Sequence, residues 1–346
     1  TRPGENKSAP ARGGPAKRTP FFLFIYFTKQ KGGDRLIRYI IKRAALAVGI
    51  IFSISLITFF ILNVIPGDPV AAMLGEFADA DKIAQVKAQM GLDTPLPVQY
   101  FNWLKDLLHG DMGTSYISGK AVFPAFISKL PATLLLTVVS IALTIIISIP
   151  LGVLAAVKQN RFTDYLIRAA SFLGNSMPNF FVALLLMYFF AIRVKIFPVI
   201  ASEVSMESVA LPSLTLAIAM SAKYLRQVRA TVLDELSKDY VVGAKARGVR
   251  FSVTLYKSVL KACLVTIITL LTLSIGSLLG GTAIVESIFL WDGVGKLAVD
   301  AINMRDYPMI QAYVMWMAII YVCVNLITDL SYRVLDPRIR LGGEKA

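Results

Sequence analysis

The sequence predicts an all-α integral membrane protein of about six transmembrane helices, with both termini in the cytoplasm. Three observations carry that prediction. Hydrophobic residues make up 56% of the 346 residues, and mean hydropathy is +0.64, where soluble domains are roughly 45–50% apolar. The apolar residues are concentrated in runs close to the ~20 residues that cross a hydrocarbon core. The basic residues are unevenly shared among the segments between those runs.

Residues 1–34 form a basic extension. Its first 19 residues are rich in Pro, Gly, Lys and Arg and carry no core-forming pattern, so they are expected to be disordered. Pro20 to Phe27, "PFFLFIYF", is too short to span and reads as an interfacial patch beside basic residues. A signal peptide is the rival reading, but no small-x-small cleavage site follows. The sequence opens on Thr1 rather than Met, as expected of a trimmed or tagged chain.

Six spans are expected: Ala44–Ile65, Ala132–Val157, Ser171–Ile192 broken by Pro178, Pro212–Leu225, Ala262–Ile284 and Met309–Tyr332. The fourth is short and must borrow flanking residues or tilt. All should be helical, because lipid cannot satisfy open backbone groups. The resulting domain is 35–340, with a six-residue tail, 341–346.

With the N-terminus inside, the cytoplasmic segments hold 27 of the 36 Lys and Arg and the external segments hold 9. That bias fits the positive-inside rule. The formal charge of +14 is then a topology signal rather than a nucleic-acid footprint. Cys263 and Cys323 both lie in apolar runs and read as buried thiols. His109 has no second His or Cys nearby, so no metal site is expected.

The external segment 66–130 contains two short amphipathic stretches, "DKIAQVKAQMGLD" ending at Gly91 and "PVQYFNWLKDLLHGDMG" with interfacial aromatics. It can be a folded cap or a docking surface for an external partner.

Inside, residues 226–261 are polar and basic. Ser237 and Asp239 suit a helix N-cap. Gly248 suits the left-handed residue that closes a helix, with Lys245 and Arg247 in the last turn. Gly243, Ala244 and Ala246 are small enough for another surface to approach closely. Such a loop is too long for a turn and too small for a domain. It is either a solvated surface helix or a compact knuckle that plugs into a cytoplasmic partner.

The stretch "DYVVGAKARGV" resembles the cytoplasmic coupling-loop signature of ABC importer permeases, in the dipeptide, oligopeptide and nickel branch of the binding-protein-dependent family. Asp239, Tyr240, Ala244, Lys245, Ala246, Arg247 and Gly248 match it. "NVIPGDP", "PLGVLAAVKQNRFTDYLIR", "SMPNFF", "GGTAIVESIF" with "GVGKL", "RDYPMIQAYV" and "DPRIR" follow in the family's order, over about residues 35 to 340. Val242 and Gly243 stand where many ABC permeases carry Glu and Ala. Thr266 replaces a proline that would kink the start of span five.

The resemblance implies the ABC importer permease fold and half of a translocation pathway working by alternating access. It implies a second homologous permease, two cytoplasmic ATP-binding subunits and an external solute-binding protein in a bacterial or archaeal cytoplasmic membrane. ATP and Mg would be bound by the partners and no cofactor by this chain, which is not an enzyme. Consistent with that, "YISGK" and "DGVGK" lack the glycine and Ser/Thr of a phosphate-binding loop.

Pathway or packing roles are expected of Pro178, Asn179, Gly276, Gly280 and Gly281, the "GSLLGG" run reading as close helix packing. Glu286 and Asp329, near helix ends, are expected to face water or headgroups. An ion-coupled secondary transporter, the distant alternative, would need buried charge at mid-membrane and an internal repeat, and neither is evident. The substrate is expected to be short peptides, with nickel or a nickel chelate as the alternative.

Overall fold

The computed structural model describes residues 33–64, 70, 74, 79–200 and 204–335. The extension up to residue 32, most of "NVIPGDP" and the closing "DPRIR" lie outside the described residues. Two compact units meet in sequence between Ile50 and Ile51. In the first, the described part is the opening of α1 (Gly33–Val64), a single helix. The second holds the rest of α1 and every other element.

Those elements are helical, as a chain without water to satisfy its backbone must be. They are α2 (Ala80–Gln89), α3 (Leu96–Leu108), α4 (Val122–Val157), α5 (Phe162–Ser176), α6 (Asn179–Leu186), α7 (Met206–Leu236), α8 (Asp239–Ala246), α9 (Phe251–Thr254), α10 (Leu260–Phe289), α11 (Val294–Met304) and α12 (Tyr307–Leu335). Two π-helical turns interrupt the series, Met187–Arg193 after α6 and Leu255–Val259 between α9 and α10.

Among the described residues, five helices are long and apolar enough to cross a membrane, or six if one bent pair counts as a single span. They contain expected spans two and four and overlap spans one, five and six, the fifth apolar stretch, Phe251–Thr269, reaching only the start of Ala262–Ile284, which lies within α10. The fourth does borrow its flanks: Pro212–Leu225 sits inside the 31-residue α7.

The third expected span is not one run of helix. α5 begins at Phe162, nine residues before Ser171, and its axis turns through 104° into α6 and the π turn. Pro178 causes the corner. It cannot continue α5, since it has no N–H to donate, but its fixed φ of −62° suits the residue preceding α6.

The two small amphipathic helices form where expected. α2 ends before Gly91, whose φ of +67° is left-handed. The α3 ring Tyr100 is buried against Phe59 of α1, and its hydroxyl shares a 2.9 Å hydrogen bond with Ser55 Oγ.

The principal packing lies between α4 and α7. Thr133, Thr137, Ser140, Thr144, Ser148 and Gly152 are buried and recur every three or four residues along α4, on one face. Thr137, Ser140 and Thr144 donate to carbonyls one turn back at 2.7–2.8 Å. Their hydroxyls are thus satisfied within α4, and the face it presents is small and dry. At the end expected in the cytoplasm the backbones come closest. A β-carbon on Gly152 would lie 2.7 Å from Val228 Cγ1 and 3.0 Å from the Leu225 carbonyl.

The "GSLLGG" run divides. Gly276 packs against the ring of Tyr321 on α12, in too little space for a side chain, whereas a β-carbon on Gly280 would meet nothing within 4 Å. Of these two, Gly276 is the one in close contact with another helix, and the surroundings of Gly281 lie outside the described residues. Cys263 is buried as expected, but Cys323 is exposed.

Gly152→Val forces α4 and α7 apart, an overpacking cost of about 1–3 kcal/mol. Its thermal unfolding midpoint in detergent should fall clearly below that of the native protein. An unchanged midpoint would show that the α4–α7 contact contributes little.

Candidate functional site

The candidate site is the short helix α8 and what holds it. Its first turn carries Asp239, where a carboxylate suits the positive end of a helix, and its last turn carries Lys245. The N-cap residue is Lys238, not Ser237 or Asp239, and no side chain caps the start. Ser237 instead closes α7, its hydroxyl donating to the Asp234 carbonyl at 2.8 Å.

The end forms as expected. Gly248 has φ of +73°, its N–H donates to the Lys245 carbonyl at 3.0 Å, and the Val249 N–H donates to the Ala244 carbonyl at 3.1 Å. These are the two bonds of a Schellman stop.

α8 has two faces. Val241 and buried Ala244 sit on the inner one, Val241 packing into the cluster of Val232, Leu236 and Val259. Asp239, Tyr240, Val242, Lys245, Ala246 and Arg247 are exposed. Gly243 is half-buried, and a β-carbon there would touch only the Arg247 guanidinium, at 3.5 Å.

Glu235, in the last turn of α7, fixes the approach. It accepts from the Tyr240 hydroxyl at 3.1 Å and from Lys238 Nζ at 2.5 Å. Desolvation where the Tyr240 hydroxyl meets α7, followed by the Glu235 carboxylate, pushes the phenol up to about 12, so it stays a neutral donor. An open cleft of about 700 Å³ lies beside α8. Ala156 and Arg161, Leu233 and Leu236, Val241 and Lys245 line it, together with Phe251. The basic stretch beginning at residue 226 is therefore partly the end of α7, and the exposed knuckle starts at Ser237.

An ion pair close in sequence to the cleft was not foreseen. Asp164 of α5, fully buried, accepts from Arg229 Nε and Nη2 of α7, both at 2.8 Å, and from the Asn160 N–H at 2.9 Å. Arg168 Nε is 3.5 Å from the same carboxylate. The fork-to-fork geometry fixes both rotation and distance between the two helices. In sequence the partners are 65 residues apart, and nothing local joins them.

At the opposite end Glu286 corrects its expectation. It is fully buried rather than facing water. Thr133 Oγ1 donates to its Oε1 at 2.8 Å and the Lys296 N–H to its Oε2 at 3.0 Å, while Thr133 Oγ1 accepts from the Val294 N–H at 2.9 Å. The carboxylate caps the N-terminus of α11 and ties it to α4. A signal was present: Glu286 is the only acid in α10, and a lone acid in an apolar run is usually buried with a partner.

Asp306 makes a matching clamp. It accepts from Ser115 Oγ at 2.5 Å and the Tyr116 N–H at 3.0 Å. Burial first, then the Asp306 carboxylate, raises the nearby Tyr116 phenol above its ordinary value. The side chain of Asp329 lies outside the described residues. Pro178 and Asn179 are both exposed at the α5–α6 corner, away from these clamps. Among the described residues no group of three His, Cys, Asp or Glu could hold a metal.

Several helices long and apolar enough to cross a membrane, a bent pair and an exposed short helix between α7 and α10 define a class: an all-helical, multi-pass membrane protein. Residues 148–341 match the family described as binding-protein-dependent transport system inner membrane component, and residues 36–137 match its N-terminal family. The glutathione transport system permease proteins GsiC of Salmonella typhimurium LT2 and Escherichia coli K12 are each 35% identical over 305 residues, covering 88% of this chain and 99% of theirs. Two inward-facing crystal forms of the MetNI methionine ABC transporter share the fold, with TM-scores of 0.51 and 0.52 at 16% and 17% identity, over 61% of this chain and 96% of theirs.

The chain belongs to the binding-protein-dependent family of ABC importer permeases. It is a membrane channel subunit and not an enzyme, and ATP hydrolysis belongs to the ATP-binding subunits that the family works with.

Gly248→Asp puts a β-carbon and a negative charge on a residue held at φ of +73°, a left-handed conformation that costs a side chain up to about 1–2 kcal/mol. Because a β-carbon there meets no atom within 4 Å, the strain is conformational and local. The variant should insert and assemble normally while substrate-stimulated ATP hydrolysis falls several-fold, and Gly248→Asn, which keeps the size but removes the charge, should recover most of it. Full coupling in the Asp variant would remove α8 from the mechanism.

Proposed function

We propose that this chain forms half of the translocation pathway of an ATP-driven importer of short peptides in a bacterial or archaeal cytoplasmic membrane. The observation that carries the mechanism is α8, anchored on α7 through Val241, with Ala244 buried beneath it, and leaving Asp239, Tyr240, Lys245 and Arg247 exposed. That exposed face suits a groove on a cytoplasmic ATP-binding subunit. Two such subunits bind ATP and Mg, a second homologous permease completes the pathway, and an external solute-binding protein delivers substrate. Nucleotide-driven displacement of α8 moves α7 and α10, which biases the pathway between inward-open and outward-open states.

The peptide reading is supported by relatives named for glutathione, itself a tripeptide. Nickel or a nickel chelate remains the competing cargo. The orientation is supported by the Lys and Arg bias and by the coherence of the two ends. Residues 158–168 and 223–250, placed inside by charge, meet through Asp164–Arg229 and the α8 cleft. Residues placed outside meet through Ser115–Asp306 and Lys129–Asp292.

Calorimetry on the cognate solute-binding protein tests the substrate. Glutathione and short peptides should bind without metal, and a strict requirement for nickel would replace peptide by chelate. Ser237→Cys tests the orientation: a membrane-impermeant maleimide should label it in inverted vesicles and not in intact cells. The reverse pattern would turn the topology over.

A further inference from the structure

A second cleft, of about 610 Å³, opens where the foot of α10 faces α4. Ile149 of α4 forms one wall. The other is a single stretch of chain: Tyr256 and Lys257 on the π turn, then Leu260, Lys261, Leu264 and Ile267 of α10. The wall is graded. Tyr256, Lys257 and Lys261 sit at the end expected in the cytoplasm, and Leu264 and Ile267 lie up to ~9 Å further along the helix axis.

Lys257 and Lys261 are exposed and four residues apart, so both ammonium groups reach the same side of the helix. Neither forms an ion pair among the described residues, where the salt bridges involve other cations. No acid lines the cleft.

We infer that this cleft binds one anionic glycerophospholipid of the cytoplasmic leaflet. The phosphate would sit between Lys257 and Lys261 beside the Tyr256 phenol, and an acyl chain would lie along Ile149, Leu264 and Ile267. Charge decides the lipid class. Two cations without an ion pair among the described residues, in a cleft that no acid lines, attract a net-negative headgroup and offer nothing to the ammonium of a zwitterionic one. The apolar inner wall decides against a free soluble anion, since burying a chain there contributes favourably and a lone phosphate cannot do so. Basic pockets between helices on the cytoplasmic side are a known form of such sites. The π turn is part of the site, since it carries Tyr256 and Lys257, which both line the cleft, and π turns recur at functional positions.

The inference goes beyond the transport reading and rests only on its orientation. The assembled transporter would be placed in nanodiscs of phosphatidylcholine with phosphatidylglycerol, and retained lipid counted by native mass spectrometry. Native protein should retain phosphatidylglycerol in preference to phosphatidylcholine. Lys257→Gln with Lys261→Gln should lower that retention about thirtyfold. Lys257→Arg with Lys261→Arg should preserve it, as should Lys82→Gln with Lys120→Gln in the external segment. Unchanged retention in the Gln pair, equal retention of both lipids, or displacement by inorganic phosphate alone would overturn the site. Substrate-stimulated ATP hydrolysis in the same samples reports the transport reading separately.

Discussion

The fold depends on the close approach of α4 and α7. Between helices in lipid there is no hydrophobic gain from leaving water, so packing itself must hold them. Small side chains let it do so. Thr133 to Gly152 keep one face of α4 thin, and along it α7 comes near enough that a single added carbon at Gly152 would strike Val228. Ser171 continues the same logic on α5, its hydroxyl donating to the Ala222 carbonyl at 2.5 Å, with Gly174 beside Ala222. α5, α6 and α10 pack on α7, and α11 and α12 touch α4, with buried carboxylates setting where several of them attach.

Each end carries its own buried acid. Asp164 locks α5 to α7 through a bidentate arginine, while Glu286 and Asp306 lock α11 and the start of α12 to α4 and the loop before it. Such groups specify geometry more than they add stability, because a desolvated carboxylate recovers its lost hydration only when every partner is in place. A lever that must move as a body gains from that. Rotation of α7 cannot occur without α5 while Arg229 holds Asp164.

Much of this was legible in sequence. Five of the six spans could be read because lipid demands long apolar helices. Gly248 could be read because a left-handed stop has its own residue preference. What could not be read are contacts that need the third dimension. The Ser and Thr of α4 repeat every three or four residues, a period visible in the sequence, yet hydroxyls in an apolar run do not announce which face is paired. Pro178 signalled a break but not a 104° corner. Gly276 and Gly280 look alike in sequence, and only Tyr321, forty-five residues on from Gly276, separates the packed one from the open one. Glu286 was misplaced because its nearness to a helix end suggested water, while α11 folds back over that end and seals it.

In the proposed mechanism α8 is the handle, although it has only eight residues. A helix so short is unstable alone, so its rigidity must be supplied from outside. Glu235 fixes its start to α7, Val241 and Ala244 seat its inner face, and Gly248 ends it before α9. Force applied to the exposed face therefore reaches α7 directly through the start. It reaches α10 through α9 and the π turn, whose looser hydrogen-bonding offers a place to absorb or pass on rotation. The path to α7 is stiff and the path to α10 is adjustable. In the proposed mechanism, a small displacement of α8 would then change the angle between α7 and α10 rather than move both equally, and such a change of angle would open one end of the pathway while closing the other.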